Sequence, residues 1–267
     1  MNLAWAFFKR DAVTALSYRV AFLAQLFGNI AGMGVFYFIA KTVGPQQLPA
    51  LAGQGGNLFA FLMVGIVLSD CVGISLSTFA LQVREGQFTG TLEATLISPV
   101  GLPVMMIYSS LWSYFFCFIR FVLYLTLGSV LFNVSLRNAN LPVAILIFFL
   151  TVICFMGIGI LWASVVLIIK RGDAVMNAAG YLFLLLGGVL FPVSVMPRWL
   201  QTIAWFVPLK HALEAMRLAL LRGYSFQALL PQLGLLSAFA AVLLMAGLIT
   251  FSATVRAAKH NGTLSQS

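Results

Sequence analysis

A polar segment at residues 84–99 holds the side chains best placed to do chemistry, because it separates two long apolar stretches and carries Glu85 and Glu93. The whole chain has only six acidic residues, and 62% of its residues are hydrophobic. A carboxylate can pair with basic groups of another protein across an interface that water reaches. Gly86 and Gly90 predict backbone turns within the segment. We interpret the segment as a docking surface for a partner.

Two further charges, Asp70 and Arg120, lie deep inside apolar stretches. Each is thirteen residues from the predicted outer end of its stretch, at Asn57 and Asn133. That separation places both charges at a depth of roughly 20 Å in a helix. A charge in hydrocarbon is costly unless it is paired or hydrated. The sequence therefore predicts an intramembrane ion pair or one wet cavity, and both a structural tether and a direct role in substrate passage remain open.

The motifs of familiar enzyme classes are missing from the sequence. It has no Gly-x-x-x-x-Gly-Lys-Ser/Thr phosphate loop, no His-Glu-x-x-His and no Gly-x-Ser-x-Gly. The two histidines, His211 and His260, fall in different segments. Three cysteines lie in apolar stretches without metal-ligand spacing, which favours buried hydrophobic positions: Cys71, Cys117 and Cys154. We predict no catalytic residue, cofactor site or metal site in this chain.

The elements that must position these residues are apolar helices. A helix of about 20 residues crosses the hydrocarbon core of a bilayer. The sequence predicts six such spans, at about 20–42, 57–82, 104–132, 141–169, 174–195 and 229–255. No remaining stretch has the length of a soluble catalytic domain. The predicted fold class is an all-α polytopic membrane protein with a single transmembrane domain over residues 1–267.

Residues 1–19 precede the first span and carry an apolar stripe. Trp5, Phe8, Ala12 and Leu16 recur at spacings of three and four, as on one face of a helix. A short helix of this kind can lie along the membrane surface with its apolar side in lipid. We expect an interfacial helix over residues 1–19.

Basic residues predict the orientation in the membrane. With the N-terminus in the cytoplasm, the inner segments would carry Lys9, Arg10, Arg19, Arg84, Lys170, Arg171, Arg256 and Lys259, against Lys41 and Arg137 in the short outer loops. The positive-inside rule favours this arrangement, although residues 197–223 would add four basic residues outside. Both termini and the segment 84–99 are then cytoplasmic. The scattered basic residues give no nucleic-acid surface.

Residues 197–223 predict two short helices, neither long enough to span, with Pro208 at the break. Lys210, Glu214 and Arg217 are spaced four and three apart, so the acid can pair with both bases on one side of the second helix. We interpret this side as a solvated, salt-bridged face. The alternative is a gate for a substrate.

Two groups of residues resemble the membrane subunit of ABC-2 type exporters, the permease half of an ATP-binding-cassette transporter. The first is Arg84-Glu85-Gly86, Gly90-Thr91-Leu92-Glu93 and Ser98-Pro99, which is similar to the family's cytoplasmic stretch after the second span. The second is similar to its short re-entrant helices between spans five and six, and comprises Phe191-Pro192, Met196-Pro197, Trp199-Leu200, Pro208 and Arg217.

The resemblance implies a permease that dimerises with a second copy or a paralogue. Each copy would dock a cytosolic ATPase that binds ATP and Mg²⁺, so that no cofactor is expected in this chain. A coupling helix between spans two and three would include Arg84, Glu85, Gly86, Thr91 and Glu93, and the interfacial helix would also lean on the ATPase. An ordinary helical connector remains the alternative for residues 84–99. The re-entrant segment would contain Pro192, Pro197, Trp199, Pro208, Glu214 and Arg217.

The function predicted is the permease of a two-component exporter in a bacterial cytoplasmic membrane, in contact with membrane lipid. It would move an amphipathic drug, lipid, polysaccharide or peptide outward with energy from ATP hydrolysed by its partner. Two other classes stay open. One is a scaffold that recruits an ATPase without transporting anything, and the other is a membrane enzyme that uses Asp70, Glu214 and a metal.

Overall fold

The computed structural model describes residues 3–17, 19–43, 57–88, 102–169 and 173–260, and these residues form α-helices joined by short turns. The predicted all-α class is confirmed for this part of the chain. In chain order the helices are α1 (Leu3–Ser17), α2 (Arg19–Val43), α3 (Leu58–Phe88), α4 (Leu102–Val130), α5 (Leu141–Ile169), α6 (Asp173–Gly187), α7 (Arg198–Trp205), α8 (Pro208–Leu221) and α9 (Leu230–His260).

Within the described residues, four helices are long and apolar enough to cross a membrane. Their spanning parts are Leu58–Phe88, Val104–Val130, Leu141–Leu167 and Leu230–Ala257. Apolar helices of this length satisfy their backbone hydrogen bonds internally, as a bilayer requires. Shorter apolar parts occur in α2, at Ile30–Val43, and in α6, at Met176–Gly187. The chain therefore has the elements of a multi-pass membrane protein.

Helix α6 ends earlier than the sequence predicted. The apolar stretch at 174–195 was expected to form one span, but the helix stops at Gly187. Gly188 has a φ of 73°, a left-handed conformation that glycine adopts without steric cost. Pro192 then begins a short 3₁₀ turn, Val193–Val195. The last eight predicted residues of this span therefore form a bend and a turn that lead into α7.

Helix α5 lies at the centre of the bundle, packed against α9, α3 and α8. It is apolar on all sides, which is typical of a helix surrounded by protein or lipid. Ala144, Ile147, Phe155 and Ala163 on this helix are fully buried. The three cysteines are also buried, and they are free thiols, as the sequence predicted. The central helix α5 thus packs against both α3 and α8, which also contact each other.

Helix α1 is present where the interfacial helix was expected, and it packs against the first half of α4. The Phe8 ring lies 5.4 Å from the rings of both Trp112 and Phe115. Trp5 stacks on Phe8 at 5.8 Å and is otherwise largely exposed. An aromatic cluster therefore attaches α1 to the bundle. Its position along a membrane surface stays a prediction.

Candidate functional site

The described part of the predicted coupling segment is the last turns of α3. Arg84 and Glu85 lie within this helix, which continues to Phe88. The Glu85 side chain is exposed, and the Arg84 guanidinium lies 5.6 Å from the Phe88 ring. Gly86 is also helical, so the turn expected at this glycine is wrong. Helical hydrogen bonding simply continues through it, at a modest cost relative to alanine.

Thr91 and Glu93 lie outside the described residues, so their roles stay predictions. What the structure adds is the length of the helix that carries Glu85. The 31 residues of α3 extend over about 46 Å, well beyond the hydrocarbon core of about 30 Å. A helix this long can present its last turns beyond the membrane. Glu85 therefore belongs to the same rigid element as the buried residues of α3.

Asp70 and Arg120 are brought together by α3 and α4. The Arg120 Nη2 atom donates to the Asp70 Oδ1 atom at 2.6 Å. Arg120 is only 4% exposed, and Asp70 is 23% exposed. The Phe116 ring, one turn earlier on α4, lies 6.0 Å from the guanidinium carbon. The ion pair that the sequence predicted is therefore present, and whether it acts as a tether or in substrate passage stays a prediction.

Prolines mark where the short helical elements between Gly188 and Leu221 begin. Pro192 precedes the 3₁₀ turn, Pro197 precedes α7, and Pro208 is the first residue of α8. A proline suits these positions because its missing N–H would have no partner in the first turn of a helix. The two short helices and their break at Pro208 are thus confirmed.

Helix α7 is held to its neighbours by side chains that bond to backbone carbonyls. The Gln201 Nε2 atom donates to the Met196 carbonyl at 2.8 Å, which fixes α7 to the preceding turn. The His211 Nε2 atom donates to the Trp205 carbonyl at 2.7 Å, which closes the joint between α7 and α8. Trp199 is 65% exposed on the opposite side of α7. We call residues 188–221 the outer hairpin, after the side of the membrane that the sequence predicts for them.

The interpretation of α8 as a solvated, salt-bridged face is wrong. Lys210 and Glu214 do pair, with Nζ and Oε1 3.6 Å apart. Arg217, however, is 2% exposed, and ten of the fourteen residues of α8 are buried. The reason is that α8 packs against α3, α5, α6 and α9 together. The sequence placed these charges correctly along the helix but could not show how deeply the helix sits in the bundle.

Arg217 holds three elements together. Its Nη2 atom lies 3.0 Å from the Gly188 carbonyl oxygen, 3.2 Å from that of Val189 and 3.3 Å from that of Phe61. Its guanidinium carbon also lies 3.4 Å from the centre of the Phe61 ring, a cation–π contact. The arginine on α8 thus binds both the bend after α6 and the N-terminal end of α3. We call this group of four residues the Arg217 cluster.

A glycine on α3 makes room for the Arg217 cluster. A Cβ atom at Gly65 would lie 2.5 Å from the Val189 carbonyl oxygen and 3.2 Å from the Arg217 Nη2 atom. Only a residue without a side chain permits this approach between α3 and the bend. This contact could not be predicted from the sequence, because Gly65 stands among ordinary apolar residues. The bend itself is predicted, since Gly187 and Gly188 just before Phe191-Pro192 would help the fifth span turn into the short helices that the resemblance implies.

A groove of about 220 Å³ opens between α3 and α6. Polar side chains in it come from both helices and alternate with apolar ones, and they are Ser69, Ser77, Asn177 and Tyr181. Mixed linings of this kind suit an amphipathic molecule, since apolar walls supply contact and a few polar groups orient it. Sequence reasoning did not find this groove, because the polar residues of α3 and those of α6 lie about a hundred positions apart in the chain.

No group of three or more histidine, cysteine, aspartate or glutamate side chains in the described ranges is arranged to hold a metal ion. Asp70 and Glu214, which the enzyme alternative would combine with a metal, lie on different helices and have basic partners, Arg120 and Lys210. In the described residues these two acids thus take part in ion pairs.

The chain is similar to known membrane transport proteins. The family model for the ABC-2 type transporter matches residues 2–221 of this chain. A linearmycin resistance permease protein of Bacillus subtilis, LnrN, is 32% identical over 123 residues. That alignment covers 44% of this chain and 30% of the relative, so the similarity concerns less than a third of the relative's length.

Proposed function

Because the chain belongs to the ABC-2 type transporter family, we propose that it is the permease subunit of an exporter driven by a separate ATPase. The match to the family over residues 2–221 carries this proposal, since it includes every helix from α1 to α8. The sequence has no phosphate loop of its own. ATP and Mg²⁺ would therefore be bound by the partner chain.

Six helices would cross the membrane in this proposal, α2 to α6 and α9. Helices α1 and α7 are amphipathic and would lie at its surfaces, with both termini in the cytoplasm. The distribution of basic residues supports this orientation. A second permease copy or a paralogue would complete the transport path. The cytoplasmic bacterial membrane is the proposed location.

The coupling segment would begin on the last turns of α3. Arg84, Glu85 and Gly86 precede Thr91 and Glu93 in sequence, and together they would form the surface that meets the ATPase. Support comes from the exposure of Glu85 and from the length of α3, which reaches beyond a hydrocarbon core. A carboxylate on such a surface favours basic residues on the partner.

The substrate would be an amphipathic compound that enters the groove between α3 and α6. The mixture of polar and apolar residues in this groove supports a molecule with both kinds of surface. The name of the relative, a linearmycin resistance permease, favours a compound against which a cell protects itself over a polysaccharide. Asp70 and Arg120 would tie α3 to α4 beside this path.

The test is purification of the tagged full-length chain from its own membranes in mild detergent. We expect an ATP-binding-cassette ATPase to co-purify in a fixed ratio, with ATP hydrolysis that is lost when the lysine of its phosphate loop is replaced by alanine. Vesicles that contain the complex should then accumulate an amphipathic dye only with ATP. A purified chain that binds no ATPase would contradict the proposal. A complex that hydrolyses ATP without moving any compound would favour the scaffold.

A further inference from the structure

The outer end of α3 and the outer hairpin are joined at the Arg217 cluster, and the other end of α3 carries the proposed docking surface. From Phe61 to Glu85 the helix runs through 24 residues, or about 36 Å. Both residues belong to one uninterrupted helix. A shift of α3 at Glu85 therefore reaches Phe61 with little loss, since helices move as rigid elements.

The contact at Phe61 is of a kind that transmits such a shift. A guanidinium is planar and has five N–H donors in a fixed arrangement, so it holds its partners in a defined geometry. Here one face of Arg217 lies on the Phe61 ring, and Nη2 reaches carbonyls of Phe61, Gly188 and Val189. Displacing α3 relative to the bend would break this arrangement.

The surroundings make the contact costly to break. Arg217 is 2% exposed, so a separated guanidinium would remain buried while losing its acceptors. An unsatisfied buried charge costs more than an unsatisfied neutral group. The bend itself needs a donor, because the Gly188 and Val189 carbonyls lie beyond the end of α6, where helical hydrogen bonding has stopped. Movement of α3, the bend and α8 as one unit avoids these costs.

We propose that Arg217 is the positioning residue that couples α3 to the outer hairpin, so that a displacement of the coupling end of α3 moves the hairpin at the opposite end. This inference rests on the proposed function, because it takes the ATPase to act on the end of α3. It adds a route by which the outer end of the path responds to ATP. The residue acts through the helices it joins.

The experiment uses two fluorescent reporters in the complex with its ATPase. One cysteine replaces Leu81, an exposed residue near the coupling end of α3, and another replaces Thr202, an exposed residue on α7. Each is labelled with an environment-sensitive maleimide in a separate protein. The three native cysteines are at most 2% exposed, so they compete little for the label. The signal is the change in emission on trapping ATP with vanadate.

In the unsubstituted complex we expect both reporters to respond. In Arg217→Gln we expect the response at position 81 to remain and the response at position 202 to be lost. Arg217→Lys keeps the charge and one donor group, so it should recover part of the outer response. A purely structural role would lower both responses together and would not distinguish the two ends.

Gly65→Ala tests the same cluster without removing the arginine, which guards against misfolding of Arg217→Gln. The added methyl would meet the Val189 carbonyl, so the outer response should again be lost. Gly234→Ala is the matched control, because nothing lies within 4 Å of a Cβ atom at that exposed position on α9. It should leave both responses intact.

Two results would overturn the proposal, and they differ. If the reporter at position 202 still responds in both Arg217→Gln and Gly65→Ala, the coupling role of Arg217 is wrong and the proposed function stands. If neither reporter of the unsubstituted complex responds to trapped ATP, the ATPase does not act through α3 and this inference is wrong, whereas only a chain that binds no ATPase would overturn the proposed function as well.

Discussion

The bundle contains two buried arginines that are stabilised in opposite ways. Arg120 on α4 is paired with a carboxylate, Asp70, at 2.6 Å. Arg217 on α8 is held by three backbone carbonyls and one aromatic ring. The first arrangement depends on one particular partner residue. The second depends on where the backbone bends, and its acceptors are main-chain oxygens brought there by the left-handed Gly188.

This difference decides what the sequence could predict. Asp70 and Arg120 were recognisable because each is a lone charge in an apolar stretch at a matching depth. The contacts of Arg217 are invisible in a sequence, because every residue has a carbonyl group. Its spacing from Glu214 and Lys210 predicted a salt-bridged surface, which is what such spacing gives on an exposed helix. The depth of α8 in the bundle overrode that local pattern.

The largest expected effect is the removal of one member of the ion pair. Asp70→Asn leaves Arg120 buried without its carboxylate, and breaking a buried pair costs about 3–5 kcal/mol. We expect the free energy of unfolding in detergent to fall by about this amount, with a similar loss for Arg120→Gln. The double variant Asp70→Asn/Arg120→Gln should be more stable than either single one, because no unpaired charge remains.

Denaturant-induced unfolding of the unsubstituted protein, the two single variants and the double variant measures the coupling free energy between Asp70 and Arg120. The exchanged pair Asp70→Arg/Arg120→Asp should also recover part of the stability. Simple addition of the two single effects, with no gain from the exchange, would mean that the pair contributes little as a pair. Its role beside the groove would then have to be sought in substrate passage.

Replacing Arg217 should lower the free energy of unfolding by less than removing one member of the ion pair. Replacement by glutamine removes the charge along with its hydrogen bonds, and a hydrogen bond to a charged group contributes about 1.5–3 kcal/mol. No ion is left behind, because the charge itself is removed, so the loss should lie below that of Asp70→Asn. Thermal unfolding of Arg217→Gln next to Arg198→Gln, an exposed arginine on α7, provides the comparison.

If Arg217→Gln proved more damaging than Asp70→Asn, the carbonyl cluster would be the stronger of the two arrangements. The order of the two variants is therefore a direct test of the contrast between them. Equal stability of Arg217→Gln and Arg198→Gln would mean that the cluster contributes nothing measurable to the fold.

A third effect separates steric from electrostatic contributions within the Arg217 cluster. Gly65→Ala keeps the arginine but places a methyl group 2.5 Å from the Val189 carbonyl oxygen. Overpacking a close contact typically costs about 1–3 kcal/mol. Unfolding of this variant beside Gly234→Ala, where the space is open, should show the difference. Equal stability of Gly65→Ala and Gly234→Ala would indicate that the bend shifts to accommodate the methyl group at little cost.

The sequence predicted the helices better than their ends. Four long helices lie within a few residues of their predicted bounds, because an apolar stretch of that length has few other structures available in a bilayer. The end of α6 and the helical state of Gly86 were missed, since glycine permits both a turn and a helix and the choice depends on tertiary contacts. The groove between α3 and α6 was missed because it brings distant residues together.

Glu85→Lys should have the smallest effect on stability. It compares an exposed charge with the two buried ones. A surface substitution usually changes the free energy of unfolding by less than about 0.5 kcal/mol. Binding of the ATPase should nevertheless weaken by about tenfold, mainly at low salt, because a reversed charge at the edge of an interface repels the basic partner. Gln87→Lys, two residues further along α3, adds the same charge without removing a carboxylate. If Glu85→Lys and Gln87→Lys weaken ATPase binding equally in a titration of the purified complex, the effect comes from the added lysine, and the Glu85 carboxylate is no specific contact. If only Glu85→Lys weakens it, the exposed Glu85 carboxylate near the end of α3 is the point where the partner's basic residues engage this helix.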